Sequence, residues 1–495
     1  MIAFGNADKY LRQTVYDAYI NDDWHVMSTV TINEGERWQY GAPMTELFGR
    51  LVNLDIADGF TSVAPVLASD PIGSITGQHY PDSLVRPDRL GVEPRIGVSW
   101  RPISASTVVV RAGYGIYHDT SVYLRPTLRL AQQAPLSTSV QEQNSATCPL
   151  TLMNGFTNCG QTTPQTFAID PNFQIGYAQT WQLALERDLP FAMQGTVTYL
   201  GMKGTHGAQQ ILPNSYAVGE VNPCPYCPSG FVYEMSGGNS TRQSAQMQLR
   251  RRLRAGFAAA LTYSFSKSID DDAMLGGQGN ISNASQSASS SNSSAASTQT
   301  AAIAQNWLDP GAERSLSSFD QRQLLNVQAQ YTTGQGIEGG TLLQGWRGSL
   351  FKEWTLTTQI TTGTGLPQTL IYPVTVPGTG VIGPLRPSLT GAPIYGSSSS
   401  THLNAAAYAA PASGAYGTAG RDSITGPVQF SFNSGLQRTF RPSKLFFLDA
   451  RIDATNLLNH AVFTSWNTSL GNTQFGQPVA TNPMRSLQAT FRLRF

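Results

Sequence analysis

Charge is what this sequence has least of. Only 13% of its 495 residues are Asp, Glu, Lys or Arg, about half the share of an ordinary soluble domain. Lys and Arg number 32 and Asp and Glu 31, so no net field gathers polyanions, and nucleic acid is excluded as a partner. No stretch reaches the roughly 18 consecutive apolar residues of a membrane helix, which excludes an α-helical membrane protein. The residues Met1–Gln13 lack the basic stretch and apolar core of a secretory signal. The six histidines (His25, His79, His118, His206, His402 and His460) are scattered, with no short-spaced pair to hold a metal. There is no GxSxG nucleophile elbow, and no paired carboxylates suggest a glycosidase. Catalysis and cofactors therefore find no support among these residues, and the reading is of a protein that is not an enzyme.

In place of charge the chain carries Gly, Ser, Thr, Asn and Gln, and its apolar residues recur with period two. In Phe257–Ser268 one face takes Phe257, Ala259, Leu261, Tyr263 and Phe265; the other takes Ala258, Ala260, Thr262, Ser264 and Ser266. Successive side chains of a strand point to opposite faces, so this segment has one greasy and one small polar face. Val108–Tyr117, Leu325–Tyr331, Trp181–Glu186 and Trp354–Thr361 repeat the pattern. In Phe446–Ala454, Phe446, Leu448, Ala450, Ile452 and Ala454 oppose Asp449, Arg451 and Asp453, which read as a ladder of charges on a lumen wall.

Thirteen such segments are expected, near 15–25, 28–40, 93–101, 107–118, 177–189, 194–204, 244–253, 257–268, 320–333, 351–363, 428–440, 445–459 and 486–495. Many exceed the roughly 5–6 residues of a globular strand and match the 9–11 that cross a bilayer at a tilt. The links alternate. Short ones fall near His25–Ser28, Pro102–Ser106, Pro190–Met193, Leu253–Gly256 and Arg441–Lys444; long ones run over 41–92, 119–176, 205–243, 269–319, 364–427 and 460–485. Outer-membrane barrels have short periplasmic turns and long outer loops. The link 334–350 is intermediate and breaks the rule. The loops are polar, and Ser282–Thr300, nearly pure Ser, Ala, Asn and Gln, is expected to be mobile. Trp24, Trp100 and Trp354 stand where strands meet short turns, as an interfacial girdle would.

Smaller features are read blandly. Gly113-Tyr114-Gly115 is no phosphate loop, since no helix pattern follows; its glycines more plausibly make room for a neighbouring ring. Asp270, Asp271 and Asp272 could hold a cation, but a solvated loop edge is the expectation. Cys148 and Cys159, and Cys224 and Cys227, form two close pairs, read as local disulfides in an exported chain. The competing reading makes the CPYC unit half of a zinc site. The chain ends in alternation: Leu487, Ala489, Phe491, Leu493 and Phe495 against Gln488, Thr490, Arg492 and Arg494.

Together YINDDWHV, TVTINEGERWQY, EPRIGVSW, VVVRAGYGIYHD, DPNFQIGYAQTWQLALERDL, VTYLGMKGTH, LTYSFSKSIDD, SSFDQRQLLNVQAQY, TTGTGLPQTL, LDARIDATNLLNHAVF and FGQPVATNPMRSLQATFRLRF resemble the C-terminal barrel of TonB-dependent outer-membrane transporters of the Oar-like branch, of Acidobacteria type. The resemblance implies an all-β, antiparallel transmembrane barrel over residues 1–495 in a Gram-negative outer membrane. It implies outer-membrane lipid, the barrel-assembly machinery and, through an N-terminal plug, the TonB complex as partners. The terminal aromatic of residues 487–495 resembles the barrel-assembly signal. A scarce or bulky ligand would be captured by the long loops and imported without chemical change. A structural or adhesive surface protein is the alternative. The plug, the TonB box and the small β-sandwich that precedes it in relatives are not among these residues. An odd strand count whose first strand descends from outside leads to the expectation of a truncated reading, strands ten to twenty-two of a 22-stranded transporter. Taken alone it would be an open sheet with two unpaired edges.

Overall fold

A computed structural model describes residues 2–6, 8–140, 166–271, 303–336, 342–379, 384–396, 401–441 and 446–495. Its frame is thirteen long strands: β1 (Val15–Met27), β2 (Val30–Gly41), β3 (Val92–Trp100), β4 (Val109–His118), β5 (Tyr177–Leu189), β6 (Met193–Ile211), β7 (Val232–Arg254), β8 (Phe257–Asp270), β9 (Gln323–Thr332), β10 (Thr355–Gly363), β11 (Gln429–Phe440), β12 (Phe447–Thr455) and β13 (Ser486–Arg494). Each pairs antiparallel with the next in chain order, so the sheet is an unbroken meander. The path does not return on itself: β1 and β13 are its two ends, and among the described residues they do not pair. The expected open sheet is what the pairing gives.

Register carries the period-two pattern across the whole sheet. On one face Ile32 lies opposite Val98, Val98 opposite Ala112, Ala112 opposite Leu183, and Leu183 opposite Tyr199. Further along, Leu261, Val327, Ile360 and Phe432 form one row, and Leu436, Ile452 and Ala489 another. Directly opposed residues share a face, so these rows make one apolar band. Trp24, Trp100 and Trp354 have the parity of this band and sit at its short-turn end, where amphipathic rings mark a membrane interface.

Close-packed rings explain two glycines. A Cβ on Gly201 would stand 2.2 Å from the Trp181 ring directly across from it, and one on Gly115 would stand 3.0 Å from the Tyr117 hydroxyl. Gly115 thus makes room for a ring, as read from the sequence. The ring is Tyr117, two positions along the same strand, and the Arg95 guanidinium lies 4.5 Å from its centroid.

Three departures from expectation are informative. β6 and β7 run 19 and 23 residues, so much of the expected loop 205–243 is strand. The hairpin continues past the length that spans a bilayer, shifting register at Gly204–Gly207 and again by Gln209. The intermediate link after β9 contains a helix, α2 (Gly345–Phe351), which with α1 (Leu124–Leu130) gives two seven-residue α-helices among the described residues. No described helix is long and apolar enough to cross a membrane. Most unexpectedly, the polar loops carry a hydrophobic core. Leu51, Tyr80, Leu84, Tyr123, Phe167, Leu212, Ile303 and Val376 form one buried cluster, drawn from five of the six long connections. A second, with Leu370, Leu403, Tyr408, Ile424 and Phe475, adds the sixth. Burying each such side chain stabilises by about 1.5–3 kcal/mol, so the loops form a cap of their own at the long-loop end. Ser282–Thr300 lies outside the described residues.

Candidate functional site: the polar wall and its cap

The second face of the sheet is polar from edge to edge. Thr196, Gln248, Thr262, Asn326, Thr361 and Ser431 stand in one row over six strands. Several charges on this face are held in pairs. Arg111 donates to Glu186 at 2.5 Å, and Gln194 donates to the other carboxylate oxygen at 2.8 Å. The ladder read from the sequence is present: Arg451 Nε donates to Asp453 at 2.6 Å, and Asp449 accepts from Arg494 at 2.9 Å and from Thr439 at 2.7 Å. Near the cap, Glu93 is buried. It accepts from Arg95 Nη2 at 2.7 Å and from the His118 backbone N–H at 2.9 Å, with Arg37 4.0 Å away. Where its ions are paired, the wall offers a polar solute hydrogen-bonding surface without a strong fixed charge.

The cap is knitted by side chains that bond backbone. Asn53, fully buried, donates to the carbonyls of Ile169 and Leu84 at 2.9 and 3.3 Å and accepts from the Ile169 N–H at 3.1 Å. The strand Phe167–Ile169 runs parallel to Val232–Glu234 of β7, tying the cap to the long hairpin. Asp55 is fully buried and accepts four hydrogen bonds: from the N–H groups of Ile75 and Thr76 (2.7 and 2.9 Å), from Thr76 Oγ1 (2.5 Å) and from the Tyr80 hydroxyl (2.9 Å). Burial pushes its carboxyl up, but these donors outweigh burial and hold it below the usual range. The Tyr80 hydroxyl is pushed up to about 12, by burial first and by the Asp55 carboxylate second. Glu46 is also held low: burial raises it, and the N–H groups of Arg50, Tyr10 and Phe48 outweigh that.

Where β8 enters the cap lies a buried ionic cluster. Arg421 Nη2 donates to both the carbonyl and the carboxylate of Asp270, Nη1 donates to Asp422 at 3.0 Å, and Nε donates to the Glu313 carbonyl at 3.0 Å. Arg386 makes a two-pronged pair with Glu313 at 2.6 and 3.0 Å. All five residues are buried. Burial pushes the Asp422 carboxyl up despite Arg421. This corrects the reading of Asp270 as a solvated loop edge: it is fully buried and neutralised by an arginine 151 residues away. Asp271 accepts from the Asn239 N–H at 2.5 Å; Asp272 lies outside the described residues. No group of three or more His, Cys, Asp or Glu able to hold a metal occurs among the described residues.

The other residues singled out in the sequence are placed as follows. Leu487, Ala489, Phe491 and Leu493 lie on the apolar face of β13, opposite Ala454, Ile452, Ala450 and Leu448. Phe495 follows the strand and is 96% exposed. Cys224 and Cys227 are joined by a disulfide with Cα atoms 5.3 Å apart; Cys148 and Cys159 lie outside the described residues. Sequence reading missed Asp55, Glu313, Arg386 and Arg421. A signal existed for the arginines: between residues 364 and 428, Arg386, Arg421 and Asp422 are all the charges there are, and all three are in the cluster.

A one-sheet meander with an apolar and a polar face, long loops at one end and interfacial tryptophans at the other, defines an outer-membrane β-barrel wall. The chain belongs to the outer membrane beta barrel domain family, whose model matches residues 2–488; it is an outer-membrane protein. No curated protein matches it. Among solved structures it is similar to the ferripyoverdine receptor of the outer membrane of Pseudomonas aeruginosa (10% identity, 98% of this chain and 39% of that one, TM-score 0.44). It is also similar to the outer membrane transporter YddB from Escherichia coli (11%, 98% and 53%, 0.45) and to the ferric-catecholate import receptor Fiu from Escherichia coli K12 (9%, 98% and 45%, 0.45). The chain spans between 39% and 53% of the length of these three.

Proposed function

We propose that this chain is the barrel wall and outer cap of a TonB-dependent transporter of the Oar-like branch, importing a scarce or bulky solute without changing it chemically. The observation that carries this reading is the polar face, continuous over all thirteen strands and studded with paired ions, with a folded cap at its outer end. The resemblance of the sequence motifs supports the assignment to the branch. The two open edges support a larger closed barrel, in which further strands of the same protein pair with β1 and β13 and a plug fills the lumen.

The test compares two strains of the source bacterium, one lacking the gene for this chain and one lacking TonB, for what each leaves undepleted in defined medium. Transport leaves the same solute behind in both. Full depletion in the strain lacking this chain, together with lost attachment to surfaces, would install the adhesive reading instead.

In the same proposal, Leu487, Ala489, Phe491, Leu493 and Phe495 present the last strand to the barrel-assembly machinery. Deleting Phe495 removes no described packing, because the ring is exposed. It should nevertheless cut assembly and leave the chain in the periplasm. An undiminished heat-modifiable band in outer membranes would show that the ring is not a signal.

A further inference from the structure

The link between β9 and β10 is the only connection at the short-turn end, among the described residues, that builds a helix. We infer that α2 and the sheet beside it form a binding site for one anionic glycerophospholipid of the inner leaflet, with an acyl chain seated in the groove they enclose. The groove has a volume of about 590 Å³, and its lining includes Tyr331, Leu342, Leu343, Phe351, Trp354 and Leu436. Tyr331 and Leu436 are each in register with Leu356 on the apolar band, so the groove opens on the surface that meets lipid. It lies at the end of that band where the interfacial tryptophans stand.

The helix and the residues just before it are shaped for an interface. Leu342 and Trp346 are 73% and 70% exposed, and Leu350 and Phe351 are also exposed. Aromatic and aliphatic side chains projecting at headgroup depth are the mark of segments that lie in the membrane plane. α2 is pinned to the sheet by Arg438, the next residue after Leu436 on that face, whose Nη1 donates to the Leu350 carbonyl at 2.6 Å. The same guanidinium lies 4.5 Å from the Phe440 ring and 5.6 Å from Trp354.

Charge selects the headgroup. Among the side chains described in 334–353 and 436–441, Lys352, Arg438 and Arg441 stand against Glu353, three positive and one negative, a surplus of two positive charges. In a chain with a net charge of only +1, this local surplus favours an anionic headgroup over a zwitterionic one. A two-residue hairpin would have closed this connection, as Ala255–Gly256 closes β7 to β8.

The site is independent of what the barrel transports, so its test reads lipid rather than uptake. The full chain is assembled in outer membranes, extracted into nanodiscs and exposed to phosphatidylglycerol bearing a photoactivatable diazirine on one acyl chain. Labelled peptides are mapped by mass spectrometry. Labelling should concentrate on 342–354 and 431–440. It should fall about tenfold in Leu436→Ser, which removes an apolar side chain lining the groove. Leu342→Ser, at an exposed position, should lower it in the same direction while heat-modifiability is unchanged, so a folding defect cannot mimic the result. Phosphatidylcholine with the same diazirine should label these peptides several-fold less. Labelling spread evenly over the apolar band, unchanged in both variants, or equal for the two headgroups would overturn the assignment.

Discussion

Replacing Arg421 by Met will detach the cap from the barrel wall while leaving the wall in the membrane. Arg421 is the shared counter-ion of two buried carboxylates, Asp270 at the end of β8 and Asp422 in the loop 364–428, and it also satisfies the Glu313 carbonyl. Methionine fills much of the same space but supplies no donor. Removing one partner of a buried ion pair leaves an uncompensated charge and costs about 3–5 kcal/mol. Here two carboxylates lose the same partner, so the upper part of that range is expected. The loss falls on the cap, because four of the five clustered residues lie in the loops and Asp270 occupies only the last position of β8, opposite Ser240. Hydrogen exchange should therefore rise across 303–320 and 401–428, while β8 to β10 stay protected. Removing the acids as well, with Asp270→Leu and Asp422→Leu on the Arg421→Met chain, should restore much of the protection, since apolar replacement of a whole buried ionic group is close to neutral. Unchanged exchange in the single variant would mean that the cluster does not hold the cap.

The second large effect concerns Asp55. Asp55→Ala should cost roughly 3 kcal/mol, because the buried Tyr80 hydroxyl and the part-buried Ile75 and Thr76 N–H groups and Thr76 hydroxyl lose one acceptor, and an orphaned buried donor costs about 1–3 kcal/mol. The effect has a pH signature. The Asp55 carboxyl is held below its ordinary 3.8 in the folded cap. Its contribution is therefore fully present above that value and is lost as pH falls through the lower, folded one. Glu46, also held low, adds in the same direction. Asp422, pushed up by burial, acts oppositely: protonation favours its folded form, and its stabilisation fades as pH rises through its raised value. The difference between the wild-type and Asp55→Asn profiles isolates Asp55. Cap unfolding followed by tryptophan fluorescence from pH 7 to 3 should show wild type losing stability below about pH 4, with a flatter curve for Asp55→Asn. Parallel curves would count against the carboxylate as the source. Gly73→Ala is a milder probe of the same pocket, since a Cβ there would stand 2.5 Å from the Asp55 carboxyl.

How much of this was legible beforehand follows from the distance over which each feature is decided. The sheet was legible. The strand expected at 177–189 is β5, Tyr177–Leu189, and the faces assigned to Phe257–Phe265 and to Asp449–Asp453 are those that the register confirms. Period two is a property of adjacent residues, and a membrane imposes it without interruption, so local sequence is enough. The glycine rule held at Gly115 for the same reason, since Tyr117 is two residues along; beside Gly113 stands Gln182 and not a ring.

The candidate site was legible only in its wall. The cap was not, because its bonds join residues far apart in the chain: Asn53 with Ile169, 116 residues on, and Asp270 with Arg421, 151 residues on. Nothing near Asp270 in the sequence says that an arginine will neutralise it, so an exposed loop edge was the reasonable local reading. The loops looked too polar to pack, yet five of them contribute apolar side chains to one core, from one residue (Ile303) to several each. The hairpin β6–β7 ran on past the membrane because the strand Phe167–Ile169 pairs with its upper end, a support that the hairpin's own residues do not encode. By itself, then, the sequence determined the strand count, the two faces and the membrane class, all fixed by period-two alternation between neighbours. Only the tertiary structure decided that polar connections fold into a cap and that one irregular link forms a lipid-facing groove, since both depend on which distant segments meet.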